Sequence, residues 1–308
     1  YAPKTGSLTQ GTDKGALHCD LRPSRKVKHN LPMPVDHYEN FPVASWLLPA
    51  HLRSAVVAIY HFARTADDIA DEGDASTEQR LAQLGQYHSA LETLEAGQPG
   101  STPIPEALHD IFLPLGRTIT EHNLPFQPFF DLLAAFKQDL TQTRYPDDEA
   151  VMAYCRLSAN PVGILMLHLY KKTDAVSFEQ SDAICSALQR INFLQDVAID
   201  WKKNRVYLPQ NALARFGVSE EMLANGECSA AWRALMAEQI KQCRSLLHFG
   251  YPLGRHLPGR IGLELRLIVQ GGLRVLEKIE DVDFDVFTRR PILRPTDWIT
   301  MLWRALWR

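Results

Sequence analysis

The sequence predicts an all-α protein, and three observations carry that expectation. Apolar residues recur every three or four positions over eight long segments, strand-like alternation is nearly absent, and turn chemistry falls between the segments. The segments run near 51–72, 77–96, 105–123, 126–141, 147–171, 176–200, 229–250 and 259–281. The second is closed by Gly97-Gln-Pro-Gly100, and the third opens after Ser101-Thr-Pro103. Tyr145-Pro-Asp-Asp148 separates the fourth from the fifth, and Leu257-Pro-Gly259 introduces the last. Connections are short and no shift in composition marks a second domain. The expectation is one helical-bundle domain over 36–308, of the kind that encloses a central active-site cavity. Residues 1–35 differ: polar, rich in Gly, Thr, Lys and Pro, with a basic run at Arg22, Arg25, Lys26 and Lys28, they read as a flexible N-terminal segment.

Composition narrows the class. Hydrophobic residues make up 45% and charged residues 22%, ordinary for a soluble globular chain. A net charge of −3 provides no electrostatic draw toward nucleic acid. Five cysteines, scattered and without a Cys-x-x-Cys pair, speak against a disulfide scaffold or a zinc site and for a reducing compartment. No signal-peptide pattern and no window of membrane-spanning apolarity is apparent, so a cytoplasmic location is expected.

The chemistry sits in two acidic helices. In Tyr60-His-Phe-Ala-Arg64-Thr-Ala-Asp67-Asp68-Ile-Ala-Asp71-Glu72, positions 60, 64, 67 and 71 share one face. Ile59, Phe62, Ala63, Ala66, Ile69 and Ala70 cover much of the rest, so the helix is mostly buried and its polar stripe must meet solvent or a cavity. In the second helix Gln189, Asn192, Asp196, Asp200 and Lys203 form a matching stripe, followed by Arg205 and Tyr207. Each stripe has a plain alternative, a solvated face with an Arg64–Asp68 ion pair or a polar strip on the bundle surface. Two stripes of like design favour a functional pair: a cage of carboxylates for divalent cations and a diphosphate.

All candidate ligands are oxygens, which suits Mg²⁺, with Mn²⁺ as its substitute, rather than zinc. Arg64, Lys202, Lys203 and Arg205 can complement phosphate oxygens. Neither a Gly-x-x-x-x-Gly-Lys loop nor a convincing Gly-x-Gly-x-x-Gly is present, so nucleotide binding is poorly supported. A metal-held diphosphate in a dry helical cavity points to ionisation, with aromatic faces such as Phe41, Tyr60 and Tyr154 near the resulting cation. For each of these aromatics, plain core packing is the competing role.

These motifs resemble the squalene/phytoene synthases, which act on prenyl diphosphates. Arg64-x-x-Asp67-Asp68-x-x-Asp71 is similar to that family's first acidic motif. Asn192-x-x-x-Asp196-x-x-x-Asp200, with Arg205-x-Tyr207-Leu-Pro209 after it, is similar to the second. The resemblance runs from about His37 to Glu280 and includes Tyr154-Cys155 ahead of Val162-Gly163, where the family carries a mechanistic tyrosine. It implies Mg²⁺ on Asp67, Asp71, Asp196 and Asp200, with Asp68 and Asn192 assisting. It further implies a diphosphate steadied by Arg64, Lys203, Arg205 and Tyr207, and Phe41, Ser45 and Gln189 on the substrate. Tyr60 and Tyr154 are expected at the reacting centre.

Finer stretches resemble the bacterial hydroxysqualene synthase branch of hopanoid pathways: Tyr38-Glu-Asn-Phe-Pro-Val-Ala-Ser45, Ser158-Ala-Asn-Pro161 and Asp196-Val-Ala-Ile-Asp-Trp-Lys-Lys203. That branch implies presqualene diphosphate and water as substrates, hydroxysqualene as product and no NADPH. Gln195, Asn160-Pro161 and Gly271-Gly272 depart from the wider family's pattern. A condensing synthase joining two prenyl diphosphates is the alternative. A non-catalytic partner subunit is a third reading, disfavoured by the acids themselves.

The C-terminal run Trp298–Arg308 is apolar and Trp-rich, with Ile299, Leu302, Trp303 and Leu306 on one face. It reads either as a helix in peripheral contact with the inner membrane surface or as a last helix docked on the bundle.

Overall fold

The computed structural model describes residues 47–97 and 103–307, and fourteen α-helices carry them. In order these are α1 (Arg53–Asp71), α2 (Thr77–Ala96), α3 (His109–His122), α4 (Gln127–Asp139), α5 (Asp148–Ser158), α6 (Asn160–Leu169) and α7 (Ala175–Gln195). There follow α8 (Val197–Lys202), α9 (Gln210–Phe216), α10 (Glu220–Asn225), α11 (Ala230–Gly250), α12 (Leu253–His256), α13 (Gly259–Asp281) and α14 (Asp297–Trp307). Among the described residues there is no strand, only an isolated bridge between Arg144 and Val206. The expected N-terminal segment 1–35, and with it Phe41 and Ser45, lies outside the described residues.

Local chemistry sets the helix starts. Ser76 forms a reciprocal capping box with Gln79, and Asp147, Asp174, Ser219 and Ser229 each accept a backbone N–H of the helix they precede. Gly97 ends α2 with φ of 57°, a left-handed conformation that glycine adopts without a Cβ penalty.

Packing falls into two apolar cores. The first gathers α1 to α4 and α6 around Phe62, which meets Phe112 and Phe129 edge-on at centroid distances of 5.8 and 5.4 Å. The second gathers α7, α11 and α13 around Trp232, Leu235 and Met236. A smaller aromatic cluster of Tyr145, Tyr154, Phe193 and Tyr207 joins α5, α7 and the chain after α8. Helix α1 thus belongs to one core and α7 to the other, and the two acidic stripes approach each other where the cores adjoin.

Three expectations about the helices need correction. The segment 147–171 is two helices broken at Ala159, because Pro161 has no N–H for the carbonyl of Leu157. The segment 176–200 is broken at Asp196, whose φ and ψ of −109° and 14° leave the helical range. The short helices α9, α10 and α12 carry too few turns for periodicity to reveal them. In addition, Asp148–Leu169 is long and apolar enough by composition to cross a membrane, contrary to expectation, although α5 and α6 pack on α4 and α7.

Gly272 explains how α13 lies so close to α7. A Cβ there would stand 2.9 Å from a Leu188 methyl and 3.3 Å from one of Ile191. Both contacts are on α7, behind the second acidic stripe.

Candidate active site

Helix α1 brings Tyr60, Arg64, Asp67 and Asp71 to one half-buried face, as its spacing requires. Arg64 serves three carboxylates at once: Asp67 at 3.2 Å, Asp68 at 2.6 Å and Glu72 at 2.9 Å. The expected Arg64–Asp68 pair is therefore present together with the functional stripe.

The second stripe faces the first through Asp71. Lys203 Nζ lies 2.7 Å from Asp71 and the Arg205 guanidinium 2.8 Å from it. These contacts join segments 132 residues apart in sequence. Asp196 and Asp200 are half-buried, Gln189 likewise, while Asn192 is exposed. The bend at Asp196 leaves the ladder largely intact, since the N–H of Asp200 still donates to the Asp196 carbonyl at 2.9 Å.

Burial and like charge perturb the acids. Desolvation, reinforced by Asp71, pushes Asp67 up to about 6. Desolvation together with Asp196 pushes Asp200 up to about 7. Burial acts on Asp71 as well, but its bonds to Arg205 and Lys203 outweigh that and hold it below the ordinary carboxylate range. Burial thus shifts two carboxyls of the group toward neutrality, Asp200 the further, and crowding by neighbouring acids adds to the shift.

Among the described residues no three acids, imidazoles or thiols converge closely enough to hold a metal ion in this arrangement. Basic side chains occupy the carboxylates instead. The donor set is nevertheless all oxygen, and the nearby bases do not offset the burial of Asp67 and Asp200, so the residues suit a hard divalent cation once those bases turn away.

Sequence reasoning overlooked two members of the site. Arg290 grips Asp196 with both its Nε (2.5 Å) and an Nη (3.1 Å). It reaches there from the chain between α13 and α14. That chain is pinned by Gln195, a buried side chain whose amide donates to the Pro291 carbonyl. Gln195, one of the departures from the family pattern, therefore turns to the Pro291 segment, and the cation beside Asp196 comes from Arg290.

The other is Asp139, at the end of α4. Tyr154 donates to it at 2.6 Å and Tyr207 at 3.1 Å, and an Arg205 Nη donates to its carbonyl at 3.4 Å. Burial raises Asp139 despite the Tyr154 hydrogen bond, and burial likewise holds both phenols well above their ordinary value. The Tyr207 ring stacks on Phe193 at 3.9 Å, within 4° of parallel. Tyr207 was expected on the diphosphate, but its hydroxyl is committed to Asp139. The polar position of Asp139 at a helix end, beside Gln138 and Lys137, gave no sign of burial.

Asn160 and Pro161 are buried, and Ser186 of α7 donates to the Asn160 side chain at 2.9 Å. These departures thus tie α6 to α7. Beside Asp200 the open space is narrow, about 10 Å³, bounded by Phe193, Val197, Arg205 and Tyr207. A cavity of about 590 Å³ lies elsewhere, between α2 and α3 at Leu94, Phe112 and Phe126, and touches none of the acids.

Comparison with known proteins bears on this arrangement. A family model described as squalene/phytoene synthase matches residues 35–297. The hydroxysqualene synthase of Rhodopseudomonas palustris is 36% identical over 270 residues, covering 87% of this chain and 88% of that one. The hydroxysqualene synthase of Zymomonas mobilis is also 36% identical, over 75% of both chains. Among solved structures, squalene synthase HpnC from Alicyclobacillus acidocaldarius superposes with a TM-score of 0.72 at 33% identity, covering 80% of this chain and 90% of that chain. A dehydrosqualene synthase in complex with ligand shares the fold at a TM-score of 0.72 and 22% identity, over 84% of this chain and 88% of that one. This chain is a member of the squalene/phytoene synthase family, whose members are prenyl diphosphate-condensing enzymes.

Proposed function

We propose that the protein converts presqualene diphosphate and water to hydroxysqualene and pyrophosphate. The observation that carries this reading is the meeting of the two acidic stripes at Asp71, with Arg64, Lys203, Arg205 and Arg290 spread among Asp67, Asp71 and Asp196. Similarity to two hydroxysqualene synthases over three quarters or more of the chain supports the choice of substrate.

Asp67, Asp71, Asp196 and Asp200 would hold Mg²⁺, with Asp68 and Asn192 at the margin. When bound, Mg²⁺ neutralises the carboxylates and stabilises the charge of the departing pyrophosphate. Arg64, Lys203 and Arg205, released from those carboxylates, bind phosphate oxygens and orient the C–O bond that breaks. The bonding pair leaves with pyrophosphate and a carbocation remains on the prenyl chain. Tyr154, Phe193 and Tyr207, packed together beside Asp200, form an aromatic wall next to the site, and aromatic surroundings suit a cation.

Tyr154 then has a defined part. Its O–H points at Asp139, so its oxygen lone pairs remain as acceptors for an incoming O–H. That arrangement orients a water toward the cation. The water forms the new C–O bond and sheds one proton to the released pyrophosphate. No step calls for a hydride, in keeping with the expected lack of NADPH.

A condensing activity on two prenyl diphosphates is the second reading, favoured by phytoene synthases among the relatives, such as that of Arthrospira platensis at 29% identity. Gln195 speaks against it, because its neutral amide, fixed to Pro291, offers no charge to a second diphosphate. Mass spectrometry of products separates the two. With Mg²⁺ and no NADPH, presqualene diphosphate should yield a C30 alcohol. Efficient formation of presqualene diphosphate from farnesyl diphosphate alone would overturn the single-diphosphate reading.

A further inference from the structure

Helix α14 is mounted with its polar side inward. Asp297 is buried and pairs with Arg274 at 2.8 Å and Lys278 at 2.9 Å, and Arg304 pairs with Glu277 at 2.5 Å, all on α13. Met301 and Ala305 complete the inner face against Leu267. The outer face is apolar: Ile299 is 75% exposed, Trp303 62%, Leu306 56% and Trp307 78%, with Leu302 beside them. A helix docked to shield its apolar side would sit the other way round.

Within the segment that carries the patch, arginines outnumber carboxylates. Residues 286–307 contain four arginines and a single carboxylate, Asp297, which is buried and paired. Arg289 and Arg294 are exposed, as is Ile292 between them. Tryptophan favours the boundary between headgroups and acyl chains, and arginine favours anionic headgroups.

We infer that the outer face of α14 is a docking surface for an anionic lipid bilayer, in which Ile299, Trp303, Leu306 and Trp307 enter the acyl boundary while Arg289 and Arg294 meet headgroup phosphates. The placement also serves the active site. Arg290, which grips Asp196, precedes α14 by seven residues, so the chain that enters the acidic site continues into the membrane-facing helix. A substrate with a long apolar chain would be taken up and released where it dissolves.

Flotation with vesicles tests this without reference to turnover. The full chain is mixed at low salt with vesicles of phosphatidylcholine alone or of phosphatidylcholine and phosphatidylglycerol in equal parts. Binding to the anionic vesicles, a blue shift of tryptophan emission, and loss of both in an Ile299→Glu/Trp303→Glu double variant are the expected results. Phe249→Glu changes another exposed apolar residue, on α11, and should bind as the parent does. Circular dichroism checks that each variant is folded. Absence of binding to anionic vesicles, binding retained by the double variant, or a dimer in the parent that the double variant abolishes would each overturn the proposal, the last by assigning the face to a second copy.

Discussion

Replacing Asp139 by asparagine tests how the aromatic wall is held. Asp139 accepts from Tyr154 at 2.6 Å and Tyr207 at 3.1 Å, two bonds to one largely buried carboxyl. Hydrogen bonds to a charged group contribute roughly 1.5–3 kcal/mol each, and neutral ones about 0.5–1.5. The substitution exchanges two of the former for at best two of the latter, a nominal loss of about 2–3 kcal/mol. Asparagine also removes a buried charge, which returns part of that sum. The net destabilisation should be about 1–3 kcal/mol, a fall of roughly 2–10 °C in the melting temperature for a chain of this size. Turnover should suffer more than stability, because the Tyr154 oxygen loses its fixed orientation toward the cation. A tenfold or greater fall in kcat is expected, and Asp139→Glu should restore part of it. Thermal unfolding and single-turnover kinetics at a temperature where the variant is folded measure the two effects. If Asp139→Asn turns over normally while Tyr154→Phe does not, Asp139 does not position the phenol.

Three further expectations follow from the same geometry. Arg290→Met removes the guanidinium that competes for Asp196, so Mn²⁺ should bind about tenfold more tightly by calorimetry; weaker binding would make Arg290 a support rather than a competitor. Asp67 at about 6 and Asp200 at about 7 are raised above the ordinary carboxylate value of 3.8, so the metal-free fold binds more protons than the unfolded chain and should lose stability as pH rises from about 4 to 7. Metal must displace those protons, so Mn²⁺ affinity should run oppositely and be about a hundredfold weaker at pH 5.5 than at 7.5, and a flat profile would contradict the assignment. Gly272→Leu forces a side chain into the contact with Leu188 and Ile191, and chemical denaturation should show a loss of about 1–3 kcal/mol; an unchanged midpoint would mean α13 and α7 are not tightly apposed.

Much of this was legible because helices repeat their chemistry every turn. The spacing of Tyr60, Arg64, Asp67 and Asp71 put them on one face, and an apolar remainder implied that the face was special. The Lys203 and Arg205 contacts with Asp71 followed only in outline, since periodicity places residues on faces but does not pair faces. Arg290 was illegible for that reason: 94 residues separate it from Asp196, and an arginine in an irregular stretch resembles any solvated one. Asp139 failed differently. Its neighbours are polar, and only closure of α5 and the chain after α8 over it converts a helix-end aspartate into a buried acceptor. The break at Asp196 was hidden because the i to i−4 bonds on either side persist, so the apolar pattern runs through it. For the last helix, the sequence left docking and membrane contact as rivals. The structure shows docking through the polar face, which leaves the apolar face outward.

The most direct test of the acidic site is Mg²⁺-dependent release of pyrophosphate from presqualene diphosphate, measured without reductant for the parent protein, Asp67→Ala and Asp196→Ala. The parent should release pyrophosphate, and both variants should lose that release while keeping the helical circular dichroism of the parent. Release at the parent's rate by either folded variant would contradict the site.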